Sequence, residues 1–214
     1  MLAPRSYIFH NAATVSRQWE HRRLALMRAM AAGEVPLLVA AVEGLLQRTL
    51  PPEELDRAWA ELRTGGSYDL NQLAETLTAA GYSRCDQVEG VGQFALRGGI
   101  LDVYSPGMEQ PVRAEFFGDE LDAMGLFDPA TQRRTENVER AVLLPAAEAL
   151  PHLAPGGTAG LAARLEKLAA GAEKAGRHEL AQTLRQDREA LEQGRSFPAT
   201  DRYLALIYPQ LATA

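Results

Sequence analysis

The chain of 214 residues is 46% hydrophobic and 23% charged, a balance that lets a domain bury a core and stay dissolved. At roughly 100–200 residues per domain it holds one or two domains. Its 22 basic and 28 acidic side chains leave a net charge of −6, which argues against non-specific coating of DNA. No apolar run approaches the ~18 residues of a membrane span, so no membrane contact is expected. Residues 1–10 lack a signal-peptide pattern, and a single cysteine, Cys85, fits a reducing cytoplasm.

Residues 1–50 alternate strand-like and helix-like pieces. Residues 6–9, Ser-Tyr-Ile-Phe, predict a buried strand. Thr14 or Ser16 then caps a helix to about residue 32, ended by Gly33. On it Val15, Trp19, Leu26 and Met30 share one narrow arc, with Arg22 and Arg23 filling the gap. Residues 35–40 predict a second buried strand, and residues 42–48 a short helix before Pro51-Pro52. This order predicts part of an α/β layered domain, entered in mid-domain.

Residues 51–140 are richer in β signals. Residues 58–63 predict an edge strand, Gly65-Gly66-Ser67 a turn, and Asp69 the cap of a helix over 70–80 closed by Gly81. Strands are expected at 82–88, 93–97, 100–104, 112–117 and 120–127, with turns at 89–92 and 105–107. Connections this short predict antiparallel hairpins or a meander, because parallel neighbours need a crossover of about a dozen residues. Residues 141–214 predict a helical segment. Pro151, Pro155 and Gly156-Gly157 form a linker, and a leucine-punctuated stretch follows, broken at Gly171 and Gly176. An apolar piece at 203–208 stops at Pro209.

Familiar catalytic patterns are missing. No stretch matches G-x-x-x-x-G-K-[ST], so no phosphate loop is expected. His10, His21, His152 and His178 share no ligand spacing with each other or with Cys85, so no zinc site and no cofactor are expected. There is no G-x-S-x-G elbow. Asp119-Glu120, beside Gly118, suits a solvated hairpin tip better than an acid/base pair. Cys85 beside Arg84 is either a thiolate of lowered pKa or a small half-buried strand residue. Nothing here assembles a catalytic constellation, and the chain is expected not to be an enzyme.

The β-rich region carries the remaining chemistry. In residues 93–97, Phe94 and Leu96 share one face, while Gln93, Ala95 and Arg97 share the other. If residues 82–88 pair with them across the turn at 89–92, Arg84 and Arg97 present one basic patch whose planar forks suit partner carboxylates. Alternatively Arg84 pairs with Asp86 or Glu89, and Arg97 with Asp102, as ordinary surface salt bridges.

The run Gly81-Tyr82-Ser83-Arg84-Cys85-Asp86-Gln87-Val88-Glu89-Gly90-Val91-Gly92-Gln93-Phe94-Ala95-Leu96-Arg97-Gly98-Gly99-Ile100-Leu101-Asp102-Val103-Tyr104 resembles the bacterial transcription-repair coupling factors, the Mfd family. So do Pro111-Val112-Arg113-Ala114-Glu115-Phe116-Phe117-Gly118-Asp119-Glu120-Leu121-Asp122 and Phe127-Asp128-Pro129 with Thr131-Gln132-Arg133. Upstream, Val15-Ser16, Arg22-Arg23-Leu24 and residues 42–48 are also similar. The likeness covers most of residues 5–145 and is weak over 155–200.

That resemblance implies a region homologous to the repair protein UvrB. It would be a partial, degenerate helicase-like (RecA-type) α/β domain without a phosphate loop, carrying an inserted β-rich α+β module that docks on UvrA. The implied division is 1–50 for the partial domain, 51–140 for the module and 141–214 for a helical return segment. Arg84 and Arg97 become the carboxylate-pairing contacts to UvrA, and Phe94 an apolar anchor or, by parity, the support beneath them. Gly98 and Gly99 permit the turn, Asp102 holds a guanidinium, and Asp86 shares Arg84's face. UvrB itself is similar in the Tyr-x-Arg-x-Asp and Phe-x-x-Arg-Gly elements. It carries a further arginine where this chain has Ala95, which implies a smaller contact here. The implied function is recruitment of UvrA in transcription-coupled nucleotide excision repair. RNA polymerase and double-stranded DNA would be engaged by other parts of the family's longer proteins. The rivals are a fragment of UvrB or a related ATP-dependent helicase, and a single-stranded DNA-binding module.

Overall fold

The computed structural model describes residues 17–57, 60–194, 200–210 and 212–213; the strand expected at 6–9 lies outside them. In chain order the first elements are α1 (Gln18–Ala31), α2 (Val42–Leu46), β1 (Arg48–Thr49), α3 (Pro52–Arg57), β2 (Ala60–Arg63) and α4 (Leu70–Ala79). There follow β3 (Ser83–Arg84), β4 (Gln93–Arg97), β5 (Ile100–Tyr104), β6 (Val112–Phe117), β7 (Glu120–Phe127), β8 (Arg134–Asn137) and β9 (Arg140–Leu143). The last are α5 (Gly157–Lys174), α6 (His178–Glu192), α7 (Leu204–Ile207) and β10 (Ala212–Thr213). The fold is mixed α/β. The chain divides into two compact units, one of residues 17–45 and 52–148, the other of residues 46–51 and the chain from 149 onward.

The first unit is built on a six-stranded sheet in the order β3-β4-β5-β6-β7-β8. From β4 to β8 every neighbour is antiparallel, as short connections require. One face of it packs with α4 and the β2–β9 pair around Leu62, Leu77, Phe94, Leu101, Val112, Leu121 and Leu143. Helix α4 starts where Asp69 accepts hydrogen bonds from the Asn71 and Gln72 amides at 2.8 and 3.0 Å, satisfying two otherwise orphaned donors. It is closed by Gly81, whose φ of 88° favours glycine. The Tyr82 hydroxyl is buried and donates to the Leu144 carbonyl, and burial pushes its pKa up.

Several expectations differ from the structure. Residues 35–39 form no strand, and Leu37 and Val39 are 79% and 60% exposed. Pro36 has no N–H for a ladder, which weakens any strand there. Residues 82–88 supply only the two-residue β3, and it runs parallel to β4. The stretch after 140 opens with strand β9, and its α-helices begin only at Gly157. Strand β8, with all four side chains exposed, gives no alternation to read. The first unit ends at residue 148, and the segment after β9 packs with α1 within it.

Helix α1 shows the largest reversal. Its buried residues are His21, Arg23, Leu24 and Met27, while Trp19, on the expected apolar arc, is 51% exposed. A polar stripe faces inward because its groups find partners there. Arg17 donates to the Gly81 carbonyl at 3.3 Å, and His21 Nε2 lies 3.1 Å from the Ala146 carbonyl, so that nitrogen carries the proton. Glu20 accepts from the Glu148 amide at 2.7 Å and from Arg17 at 2.9 Å. Arg23 meets Glu148 at 3.2 Å, both side chains almost wholly buried.

These contacts give α1 docking a pH dependence. Burial, then the Arg17 charge, holds the His21 pKa below 6.5. Burial alone would raise Glu20, but Arg17 and the Glu148 amide outweigh it and hold Glu20 below 4.5. In both cases the unfolded chain binds the proton first, so stability is complete above the unfolded pKa and is lost as pH falls. Denaturant midpoints are therefore expected to decline below pH 6.5 and more steeply below 4.5. His21→Gln should remove the first decline and leave the second.

In the second unit α5 and α6 form a helical hairpin that buries Leu161, Leu165, Ala169, Ala181, Leu184 and Leu191. Gly171 lies inside α5, contrary to expectation, and the break falls at Gly176, with φ 73°. Glu173 ties the turn through His178 at 2.7 Å and Arg185 at 3.0 Å. Asp187 of α6 pairs with Arg202 at 2.9 Å and accepts from the Tyr203 hydroxyl. β1 and β10 pair antiparallel in this unit.

Candidate protein-interaction site

Strands β4 and β5 form a tight hairpin in which Arg97 pairs with Ile100 across Gly98-Gly99. Gly98 has φ 59°, and a Cβ on Gly99 would stand 2.7 Å from the Phe116 carbonyl oxygen, so both positions call for glycine. Register then sets Asp102 between Ala95 of β4 and Arg113 of β6, on the face opposite Phe94. Strand alternation puts Arg97 on that same face.

Two guanidinium groups converge on Asp102, whose side chain is fully buried. Arg113 grips it with both prongs, Nε to Oδ1 at 2.7 Å and Nη2 to Oδ2 at 2.8 Å. Arg97 Nη2 donates to Oδ2 at 2.6 Å, and Arg97 Nη1 donates to the Asp86 carbonyl at 3.0 Å. The hydrogen bonds that Arg113 donates to Asp102 raise its pKa further, so it stays charged. Phe127 lies beneath, its ring centroid 4.6 Å from the Arg113 Cζ.

Gln132 braces the other side. Its backbone carbonyl and Oε1 each accept from Arg113 at 3.3 Å, and its Nε2 donates to Val88 and Pro129 carbonyls at 3.2 and 2.7 Å. Its φ of 60° is unusual outside glycine, and it is tolerated because so many bonds hold the residue. The result is a carboxylate that neutralises one of two arginines. Arg113 is four-fifths buried, while the Arg97 side chain remains 48% exposed with donors to spare.

The expected residues fare differently. Arg97 and Asp102 are joined as the second of the two sequence alternatives has it, yet with a second arginine on the same acid. Arg84 does not join them. It pairs with Phe94 in a parallel register, so it lies on the opposite face of the sheet, exposed and without a side-chain partner among the described residues. The single patch expected from a β3–β4 hairpin is thereby corrected, since β3 returns to β4 in the parallel sense. Phe94 is wholly buried in the core on the face opposite Arg97, so its ring is not at the surface. Asp86 contributes its backbone carbonyl, and its side chain is exposed.

Cys85 is half-buried, donates to the Phe94 carbonyl, and has its pKa raised by burial and then by Asp86, the opposite direction to an activated thiolate. Arg113, Gln132 and Phe127 were not singled out from sequence. Parity places Arg113 and Glu115 on one face of their strand, but nothing local says that this face meets Asp102. Among the described residues no group of three His, Cys, Asp or Glu side chains is placed to hold a metal, and no helix is long and apolar enough to cross a membrane.

Residues 60–148, which hold this site, match the family model described as the UvrB interaction domain. The transcription-repair-coupling factor of Bacillus subtilis strain 168 is 33% identical over 208 residues, 94% of this chain and 17% of that protein. That of Myxococcus xanthus is 39% identical over 115 residues, 54% of this chain and 10% of that protein. That of Staphylococcus aureus strain USA300 is 34% identical over 136 residues, 64% of this chain and 12% of that protein. The chain thus spans under a fifth of the length of these relatives. Residues 60–148 thus carry the pattern of a UvrB interaction domain, and the chain is similar to transcription-repair-coupling factors along most of its own length.

Proposed function

We propose that this chain is the UvrA-recruiting region of a transcription-repair-coupling factor, binding UvrA without chemistry of its own. The observation that carries the reading is the pair of arginines on one buried acid, Asp102, which leaves Arg97 oriented, charged and half-exposed on the outer face of the sheet. A guanidinium already held in place loses little freedom when it grips a partner carboxylate. Arg97 is the direct contact, with Asp102, Gly98 and Gly99 as its supports. Arg84, on the other face, lies outside this contact. Along the chain the module interrupts what is left of a helicase-like α/β domain. In a cytoplasmic full-length factor, RNA polymerase and double-stranded DNA are engaged by other regions.

Truncating an arginine at a charged interface costs about 2–5 kcal/mol, and partial exposure puts Arg97 at the lower end. Arg97→Ala should therefore weaken UvrA binding roughly 30-fold, while Arg84→Ala changes it less than about threefold. UvrB should compete with the parent chain for UvrA. Titration of immobilised UvrA reads all three. An Arg97→Ala chain that binds like the parent would overturn the site, and simultaneous binding of UvrB would overturn the shared docking surface.

A further inference from the structure

We infer that Phe117, with Ile100 beside it, is the apolar anchor of the same docking face, entering an apolar hollow on UvrA next to the carboxylate that Arg97 grips. The inference rests on the UvrA reading and assigns it a second contact of different chemistry. Phe117 is 87% exposed, whereas its neighbour Phe116 packs against the core and Phe94 and Phe127 are fully buried. The exposed ring stands on a strand. Phe117 pairs with Glu120 across the β6–β7 turn, and the Phe116 amide donates to the Gly99 carbonyl at 2.7 Å.

Register puts the two chemistries on one surface. Arg97 faces Ile100, and Ile100 faces Glu115, so the three side chains share a face. Phe117 is two residues beyond Glu115 on the same strand and returns to that face. Ile100 is 38% exposed, and a shallow hollow of about 330 Å³ lies between Ile100, Glu115, Phe117 and Asp122. Strands lie about 4.8 Å apart, so β4 and β6 are about 10 Å apart, within the footprint of one short partner segment.

The occupant follows from what the surface lacks. Glu115 is already paired with Arg134 at 3.0 Å, while Asp102 compensates one of its two arginines. The spare donors of Arg97 at one edge of this face call for a partner carboxylate, and Phe117, with Glu120 opposite it and Asp122 beside it, calls for an apolar depression. Aromatic and arginine side chains are also the types that dominate binding energy at interfaces. A ring carried on a hydrogen-bonded strand end loses few conformations on docking.

The test titrates UvrA with the full chain and its Phe117→Ala and Arg97→Ala variants at low and moderate salt. Phe117→Ala should weaken binding roughly 30-fold with the salt dependence unchanged, because the lost contact is apolar. Its melting temperature should match the parent, since the ring is outside the core. Arg97→Ala should weaken binding and flatten the salt dependence. If Phe117→Ala binds like the parent while Arg97→Ala is weakened, the anchor is refuted and the UvrA reading stands. A parent chain that does not bind UvrA overturns both.

Discussion

Asp102→Ala is expected to lower the stability of the chain by about 3–5 kcal/mol, a fall in melting temperature on the order of 10 °C, and to weaken UvrA binding at least as much as Arg97→Ala. The carboxylate is fully buried and is the acid on which Arg97 and Arg113 converge. Without it Arg113, four-fifths buried between Gln132 and Phe127, keeps a charge opposed only by Glu115, which is itself paired with Arg134. That poorly compensated charge, more than the lost hydrogen bonds, sets the cost. Asp102→Asn tests this separation, because it keeps the shape and removes the charge. It should lose most of the same stability. Adding Arg113→Met to Asp102→Leu removes both buried charges, so stability should recover. UvrA binding should not, since Arg97 has then lost its anchor. Recovery of both by the double variant would show that Asp102 serves stability alone.

What could be read in the sequence was local. The Asp69 cap and Gly81 stop frame α4, and the Gly98-Gly99 turn marks the β4–β5 hairpin, because each is decided by residues within a few positions. Parity and spacing already offered Arg97 as a surface cation with Asp102 as its partner, and the two are joined. What escaped was register and company. The parallel β3–β4 pairing depends on how the chain returns after Gly90, and a two-residue strand carries no alternation that could reveal it. Arg113 reaches Asp102 only because β5 and β6 pair in one register. Gln132 enters from a turn whose left-handed residue is not glycine, so no breaker pattern announces it. On α1 the apolar arc through Trp19 pointed the wrong way. Hydrophobic periodicity presumes that polar groups seek water, and His21 and Arg23 find protein partners instead.

That buried polar stripe makes the Arg23–Glu148 pair the second place where one substitution should have a large effect. Arg23 is 3% and Glu148 0% exposed, and they meet at 3.2 Å, with Arg23 also donating to the Gly44 carbonyl at 3.0 Å. Glu148→Leu removes the buried carboxylate that faces the Arg23 guanidinium and should cost about 3–5 kcal/mol. Arg23→Met removes the guanidinium that faces the Glu148 carboxylate and should cost about as much. The combined variant removes both charges and should return to within about 1–2 kcal/mol of the parent, the unpaired Gly44 carbonyl accounting for the remainder. Denaturant midpoints of the four proteins close the cycle, and nearly additive losses would sink the interpretation. The same cycle read by UvrA titration should be flat, because the docking face is assembled by β4 to β8 and its internal bonds do not involve α1. A stability loss without a binding loss would assign this ion pair to orienting α1 against the segment after β9, and leave recognition to the sheet.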